Sequence, residues 1–225
     1  MSSNVDFSLL LASAVHDMKN SIGMLISTVE TLDQSDFSGD NNPKPQLALL
    51  HAEATRINND LVHLLGVYRL DQDQLFLDYQ ECFVFDLLQD QLTDNQIIFD
   101  ANNLDVTIEC DDSISWVFDE QLISDVICNV LTNAAKYAHK SILMRAEKVE
   151  GFLKISVVDD GNGYPEKMLQ NPDSLKEGLD FSSGSTKLGL FFASRIAAEH
   201  TNDNKRGYIQ LENNESGGMF SLWLP

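Results

Sequence analysis

Two apolar seams with the same spacing occupy the first seventy residues. Leu11, Val15, Met18, Ile22, Leu25, Val29 and Leu32 recur at alternating steps of four and three, and Leu47, Leu50, Ala54, Ile57, Leu61, Leu64 and Tyr68 repeat the alternation. That period puts each set on one side of a helix of coiled-coil type. Between them Ser35 to Pro43 is rich in turn formers and closed by a proline, so the two helices are expected to fold back as an antiparallel hairpin. Leu9, Leu10, Ile26, Leu49 and Leu65 lie off the strict seams and need apolar cover that one hairpin lacks. Two hairpins from two chains supply it as a four-helix bundle, which predicts a homodimer through this region.

The pattern changes after Asp71-Gln-Asp-Gln74, a plausible linker, and the chain divides into residues 1–73 and residues 74–225. In the second part Val106–Cys110, Ser141–Arg145, Phe152–Val158, Tyr208–Leu211 and Met219–Leu224 read as strands. Helices are expected at about 84–95, 119–138 and 188–200. The fold class is therefore α+β: an N-terminal helical hairpin, then a two-layer α/β sandwich with helices on one face of a sheet.

Two polar clusters in this second part carry chemistry. Asn129-Val-Leu-Thr-Asn133-Ala-Ala-Lys136-Tyr137 sets its polar groups on one side of a helix, while Ile123, Val126, Ile127, Val130, Leu131 and Ala134 form the apolar side. Two carboxamides can hold Mg²⁺ and its waters, a lysine can meet phosphate, and a tyrosine ring can cover a base. The second cluster, Asp159-Asp-Gly161-Asn-Gly163-Tyr164, follows the apolar run from Leu153 to Val158 and reads as a strand breaking into a glycine turn.

Charge narrows the partners. With 15 Lys and Arg against 35 Asp and Glu, the formal net charge of −20 argues against gripping nucleic-acid phosphates or anionic membranes. No apolar stretch approaches the roughly 20 residues of a bilayer-spanning helix, which makes a cytoplasmic location the expectation. Cys82, Cys110 and Cys128 have no C-x-x-C spacing, so neither a disulfide framework nor a zinc site is indicated.

Taken in order, N-x-x-x-N-A-x-K-Y, then D-x-G-x-G, then Leu188-Gly189-Leu190 opening a helix resemble the N, G1 and G2 boxes of two-component sensor histidine kinases. Upstream, Val15-His16-Asp17-Met18-Lys19-Asn20 resembles their H box. The resemblance implies a sensorless histidine kinase. His16 would be phosphorylated from Mg-ATP, with adjacent Asp17 holding the other imidazole nitrogen and Asn20, one turn on, orienting water for phosphatase activity. It assigns Asn133 to Mg²⁺ and Asn129 to the same metal-water network. Lys136 would meet phosphate, Tyr137 would cover the adenine and Asp159 would accept from its amino group. Gly161 and Gly163 would let backbone approach the nucleotide, and Lys187, Leu188 and Gly189 would border it. The implied partners are a response regulator receiver domain, a separate sensory protein and a second copy of the chain.

The sequence departs from the family twice. Ser21 stands where this H-box subtype usually has proline, and Ser185 and Lys187 replace two of the three G2 glycines. Lys187 either adds charge near the triphosphate or is a solvated residue of a mobile lid spanning about 164–184. The altered G2 box keeps open an alternative: a histidine phosphotransfer or adaptor protein with a degenerate nucleotide domain. A gyrase-type ATPase clamp is disfavoured, because its water-activating position is usually glutamate and this chain has Asn129.

Overall fold

The protein is described by a computed structural model that covers residues 22–25, helical positions 50, 54, 57, 61–62, 64–66, 68 and 70, and residues 76–169 and 186–225. His16, Asp17, Asn20, the turn from Ser35 to Pro43, Asp71–Gln74 and the greater part of the lid lie outside the described residues, as does the hairpin as a whole.

Strand β1 (Tyr79–Phe83) is followed by helices α1 (Val84–Asp94) and α2 (Gln96–Ala101), then by strands β2 (Asp105–Cys110) and β3 (Ser115–Asp119). Helix α3 (Glu120–Tyr137) leads to the pair β4 (Ser141–Val149) and β5 (Phe152–Asp159). A short turn of helix, α4 (Glu166–Leu169), and helix α5 (Thr186–Glu199) follow, with β6 (Thr201–Asn202), β7 (Lys205–Arg206), β8 (Tyr208–Asn213) and β9 (Gly218–Leu224) completing the chain.

The principal sheet has the order β2-β4-β5-β9-β8 and is mixed: β2 and β4 run parallel, and the other neighbours are antiparallel. Alternation along the strands separates its faces. Met144 and Ala146 of β4 pair with Val157 and Ile155 of β5, and Leu153, Ile155 and Val157 pair in turn with Leu224, Leu222 and Phe220 of β9; these eight, and Ile142 on the same face of β4, are buried. Helices α1, α3 and α5 pack against the sheet. Phe118, Ile123, Ile127, Leu131 and Phe192 fill the space between the layers. Each such fully buried side chain contributes about 1.5–3 kcal/mol. The α+β sandwich expected from the sequence is thus observed.

Helix α3 starts where it does because Asp119 caps it. One carboxylate oxygen accepts from Leu122 N at 3.0 Å and the other from Asp78 N at 2.9 Å. Such a cap typically contributes about 1 kcal/mol. The helix ends at Ala138, whose backbone turns extended, and Asp160 secures the following turn by accepting from His139 N and Lys140 N at 2.8 and 3.0 Å. Burial acts to raise the Asp160 pKa, but these backbone donors win and hold its carboxyl down at about 2.

The helix upstream of residue 70 touches this domain. Leu70 is buried in the same core and Leu64 packs against it. A β-carbon on Gly66 would stand 2.6 Å from Cε2 of Phe192, so α5 and that helix approach to a distance only glycine allows.

Candidate functional site

Helix α3 and the end of β5 enclose a cavity of about 340 Å³. Val130, Asn133, Ala134 and Tyr137 line it, a step of three, one and three that follows one face of the helix. Asp159 arrives by the period of the strand. It is the next residue after Leu153, Ile155 and Val157 on the helix-facing side, so its carboxylate emerges from the core directly beneath α3. Met168 and Leu190 close the far side.

The turn after β5 is fixed by tight contacts. Asp159 Oδ1 accepts from Gly161 N at 2.9 Å. Gly161 lies against the carbonyl of Tyr137, and a β-carbon there would overlap that oxygen and stand 2.8 Å from Asp159 Oδ1. The absence of a side chain at Gly161 is therefore what lets the end of α3 seat on the turn. Gly163 has φ of +73°, a conformation that glycine adopts at little cost.

Asn129 is 7% exposed and lies one turn below Asn133, whose Nδ2 donates to Asn129 Oδ1 over a long 3.4 Å. Among the described residues the Nδ2 of Asn129 is buried with no hydrogen-bond partner. An orphaned donor at this depth costs about 1–3 kcal/mol. Gly189 packs on the same amide, so the opening of α5 borders it. Carboxamide oxygens at and beneath the cavity are of the type that suits a hard cation such as Mg²⁺ brought in with its own waters and phosphates. Among the described residues no cluster of three His, Cys, Asp or Glu could hold a metal, so the cation would depend on the nucleotide for most of its ligands.

The structure sorts the residues expected from sequence. Asn133, Tyr137, Asp159 and Gly163 come together around the cavity, and Gly161 supports its turn. Asn129 lies beneath with Gly189, and Leu188 is buried beside it. Lys136 is exposed, with Nζ 5.3 Å from the centre of the Tyr137 ring, and does not line the cavity. Lys187 belongs to α5, but its side chain is outside the described residues.

Tyr164 and Asn162 of the second polar cluster, which had no role assigned from sequence, line the cavity opposite α3, and sequence reasoning missed Asn213, Gly217 and Gly218, which stand behind them. A β-carbon on Gly217 would overlap the carbonyl of Asp159, and one on Gly218 would stand 2.9 Å from Asp159 Oδ2. The paired glycines before the last strand were the available signal.

A second hollow of about 480 Å³ lies between β1, β3 and the chain end, lined by Tyr79, Trp116, His200 and Pro225 among others. It contains none of the expected site residues. His200 is buried there, with Nε2 accepting from Asp119 N at 3.1 Å and Nδ1 donating to Ile196 O at 2.9 Å, partners that assign the neutral Nδ1–H tautomer. Its role is to tie α5 to the start of α3.

Residues 118–225 match the family model described as histidine kinase-, DNA gyrase B-, and HSP90-like ATPase. The chain is 32% identical to the adaptive-response sensory kinase SasA of Rippkaea orientalis, over 96% of its own length and 57% of that protein's. It is 24% identical to the sensor histidine kinase RppB of Synechocystis, over 95% of its own length and 48% of the relative's. The chain thus spans about half the length of these curated relatives. Among solved structures, the Acinetobacter baumannii histidine kinase AdeS aligns with a TM-score of 0.65 at 18% identity, over 93% of this chain and 96% of that one. Histidine kinase ThkA, solved in complex with the response regulator protein TrrA, gives 0.62 at 18% identity, over 96% and 60%. These likenesses establish the fold. No helix among the described residues is long and apolar enough to cross a membrane.

Proposed function

We propose, from the match of residues 118–225 to the histidine kinase-, DNA gyrase B-, and HSP90-like ATPase family and from the likeness of the chain to sensory kinases, that it is a protein-histidine kinase. Residues 74–225 bind Mg-ATP, and residues 1–73 dimerise and present His16 as the phosphoacceptor. The observation that carries this reading is the cavity in which Asn133 and Tyr137 of α3 meet Asp159 of β5.

In the proposed complex Asp159 accepts a hydrogen bond from the exocyclic amino group of adenine. Tyr137, half exposed at the rim, covers the base. Asn133 and Asn129 hold Mg²⁺ and its water shell, Lys136 reaches phosphate from the outer edge, and the Gly161–Gly163 turn lets the backbone close on the nucleotide. Bound Mg²⁺ supplies charge neutralisation at the transferring phosphoryl group. The imidazole nitrogen of His16 attacks the γ-phosphorus as the bond to the ADP oxygen breaks, and Asp17 holds the proton on the opposite ring nitrogen. The phosphoryl group then passes to an aspartate of a response regulator, and in the phosphatase reaction Asn20 orients water for hydrolysis of that aspartyl phosphate, which releases inorganic phosphate. ThkA was solved with such a regulator, which supports a receiver domain as partner. The input comes from a separate sensory protein acting on the homodimer.

A pulse–chase separates this reading from a phosphotransfer adaptor. The full chain is incubated with γ-labelled ATP and Mg²⁺, then mixed with a receiver domain. Label that appears on the chain and moves to the receiver supports the kinase. An unlabelled chain that accepts phosphoryl only from a phosphorylated receiver establishes the adaptor instead.

A further inference from the structure

The side chain of Asn213, at the end of β8, grips both backbone polar groups of Tyr164. Its Oδ1 accepts from Tyr164 N at 2.7 Å and its Nδ2 donates to Tyr164 O at 2.9 Å. One amide thus satisfies a donor and an acceptor of the residue that ends the glycine turn, which a carboxylate or a hydroxyl alone cannot do in the same geometry. The preceding Gly163 gives way to this grip, since a β-carbon there would stand 2.7 Å from Asn213 Oδ1.

Tyr164 and Asp159 share a support. A β-carbon on Gly218 would lie 2.9 Å from Asp159 Oδ2 and 3.2 Å from Cε2 of Tyr164, so carboxylate and ring rest on the same glycine and line the same cavity. Burial, reinforced by the charge of Asp159, pushes the Tyr164 phenol well above its usual range and keeps it neutral. Because Asp159 Oδ1 also accepts from Gly161 N, the carboxylate, the turn and the ring move as one body whose outer anchor is Asn213.

We propose that Asn213 is a positioning residue for base selection, fixing the pocket between the Tyr164 ring and Asp159 so that a 6-aminopurine is favoured over a 6-oxopurine. The inference rests on the nucleotide-binding reading above. A carboxylate only accepts, so a 6-amino group pairs with it while a 6-oxo group sets oxygen against oxygen. That discrimination holds only while the turn is rigid. If Tyr164 is released, the turn can rotate and offer Gly161 N, or admit water, to the 6-oxo oxygen.

The test is calorimetric titration of the full chain with the β,γ-imido analogues of ATP and GTP in Mg²⁺, for wild type, Asn213→Ala and Asn213→Asp. Asn213 is exposed, and melting without nucleotide verifies that each variant folds. Wild type should prefer the adenine analogue at least about tenfold. Loss of hydrogen bonds of ordinary strength should weaken its binding about 3–30-fold in both variants, and the preference should fall at least about threefold. Unchanged affinity and preference, or an equal loss for both analogues, overturns the role of Asn213 and leaves nucleotide binding intact. Wild type that binds neither analogue at millimolar concentration overturns the nucleotide reading and the inference with it.

Discussion

Gly189 packs so closely on Asn129 that a β-carbon at the glycine would overlap both terminal atoms of the amide. The first turn of α5 and the middle of α3 are thereby in contact through a residue with no side chain. This explains why Gly189 is kept where Ser185 and Lys187 replace the other two glycines of the motif. Gly189→Ala must displace a buried amide or shift a helix, and overpacking of this kind costs about 1–3 kcal/mol. Urea unfolding should show that loss, together with weaker Mg-ATP binding. An unchanged midpoint would mean that α5 stands further from α3 than described.

In the proposed function Asn129 serves the ligand, and among the described residues its Nδ2 is buried without a partner. Asn129→Leu removes that orphan and keeps a side chain of similar shape. The variant should be as stable as wild type or more so, by up to about 1–3 kcal/mol, while losing Mg-dependent nucleotide binding. A strongly destabilised variant, or one that binds normally, would contradict the assignment.

In the proposed complex Asn133 and Asp159 act on different parts of the nucleotide. Losing a hydrogen bond to a charged group costs about 1.5–3 kcal/mol, so Asp159→Asn should weaken binding roughly tenfold to a hundredfold with or without Mg²⁺. Asn133→Ala should weaken it mainly when Mg²⁺ is present. Titrations with and without chelator check this, and identical Mg²⁺ dependence in the two variants would count against the division.

His200 gives the fold a pH dependence. Burial lowers its pKa, outweighing the Ile196 carbonyl and the Asp119 and Glu199 carboxylates that act to raise it. A histidine with a depressed folded pKa contributes stability that is present above the unfolded value of about 6.5 and is lost as pH falls from there through the folded value. Protonated Nε2 cannot accept from Asp119 N. Melting midpoints should therefore fall on going from pH 7.5 to 5.5, and fall less in His200→Gln, where the other four histidines act as internal control. Parallel curves for the two proteins would exclude His200 as the cause.

The part of the site carried by α3 and the end of β5 was legible in the sequence, and the part brought in across the sheet by β8 and β9 was not. Asn133 and Tyr137 share a helical face that the 3.6-residue period reveals, and Asp159 ends an apolar run on the buried side of a strand. Asn213 lies 49 residues beyond Tyr164, and only the antiparallel return of β8 and β9 brings them together. Strand β1 escaped notice because four of its five residues are exposed and no alternation marks it, and β3 because it runs straight into the Asp119 cap. The sequence also offers no sign that β2 lies parallel to β4, since that pairing depends on a crossover through β3 and α3. Helix α2 was missed because a one-residue break at Asn95 separates it from α1.

Phosphorylation of His16 is measured most directly with the full chain, γ-labelled ATP and Mg²⁺, followed by acid treatment, for wild type, His16→Gln and Asp159→Asn. Wild type should carry acid-labile, alkali-stable label. His16→Gln should carry none although it binds nucleotide, and Asp159→Asn, at ATP concentrations that only just saturate wild type, should carry little because its binding is weakened. Undiminished acid-labile label on His16→Gln would contradict the assignment of the phosphoacceptor, and full labelling of Asp159→Asn would contradict the pocket between α3 and β5 as the site of ATP.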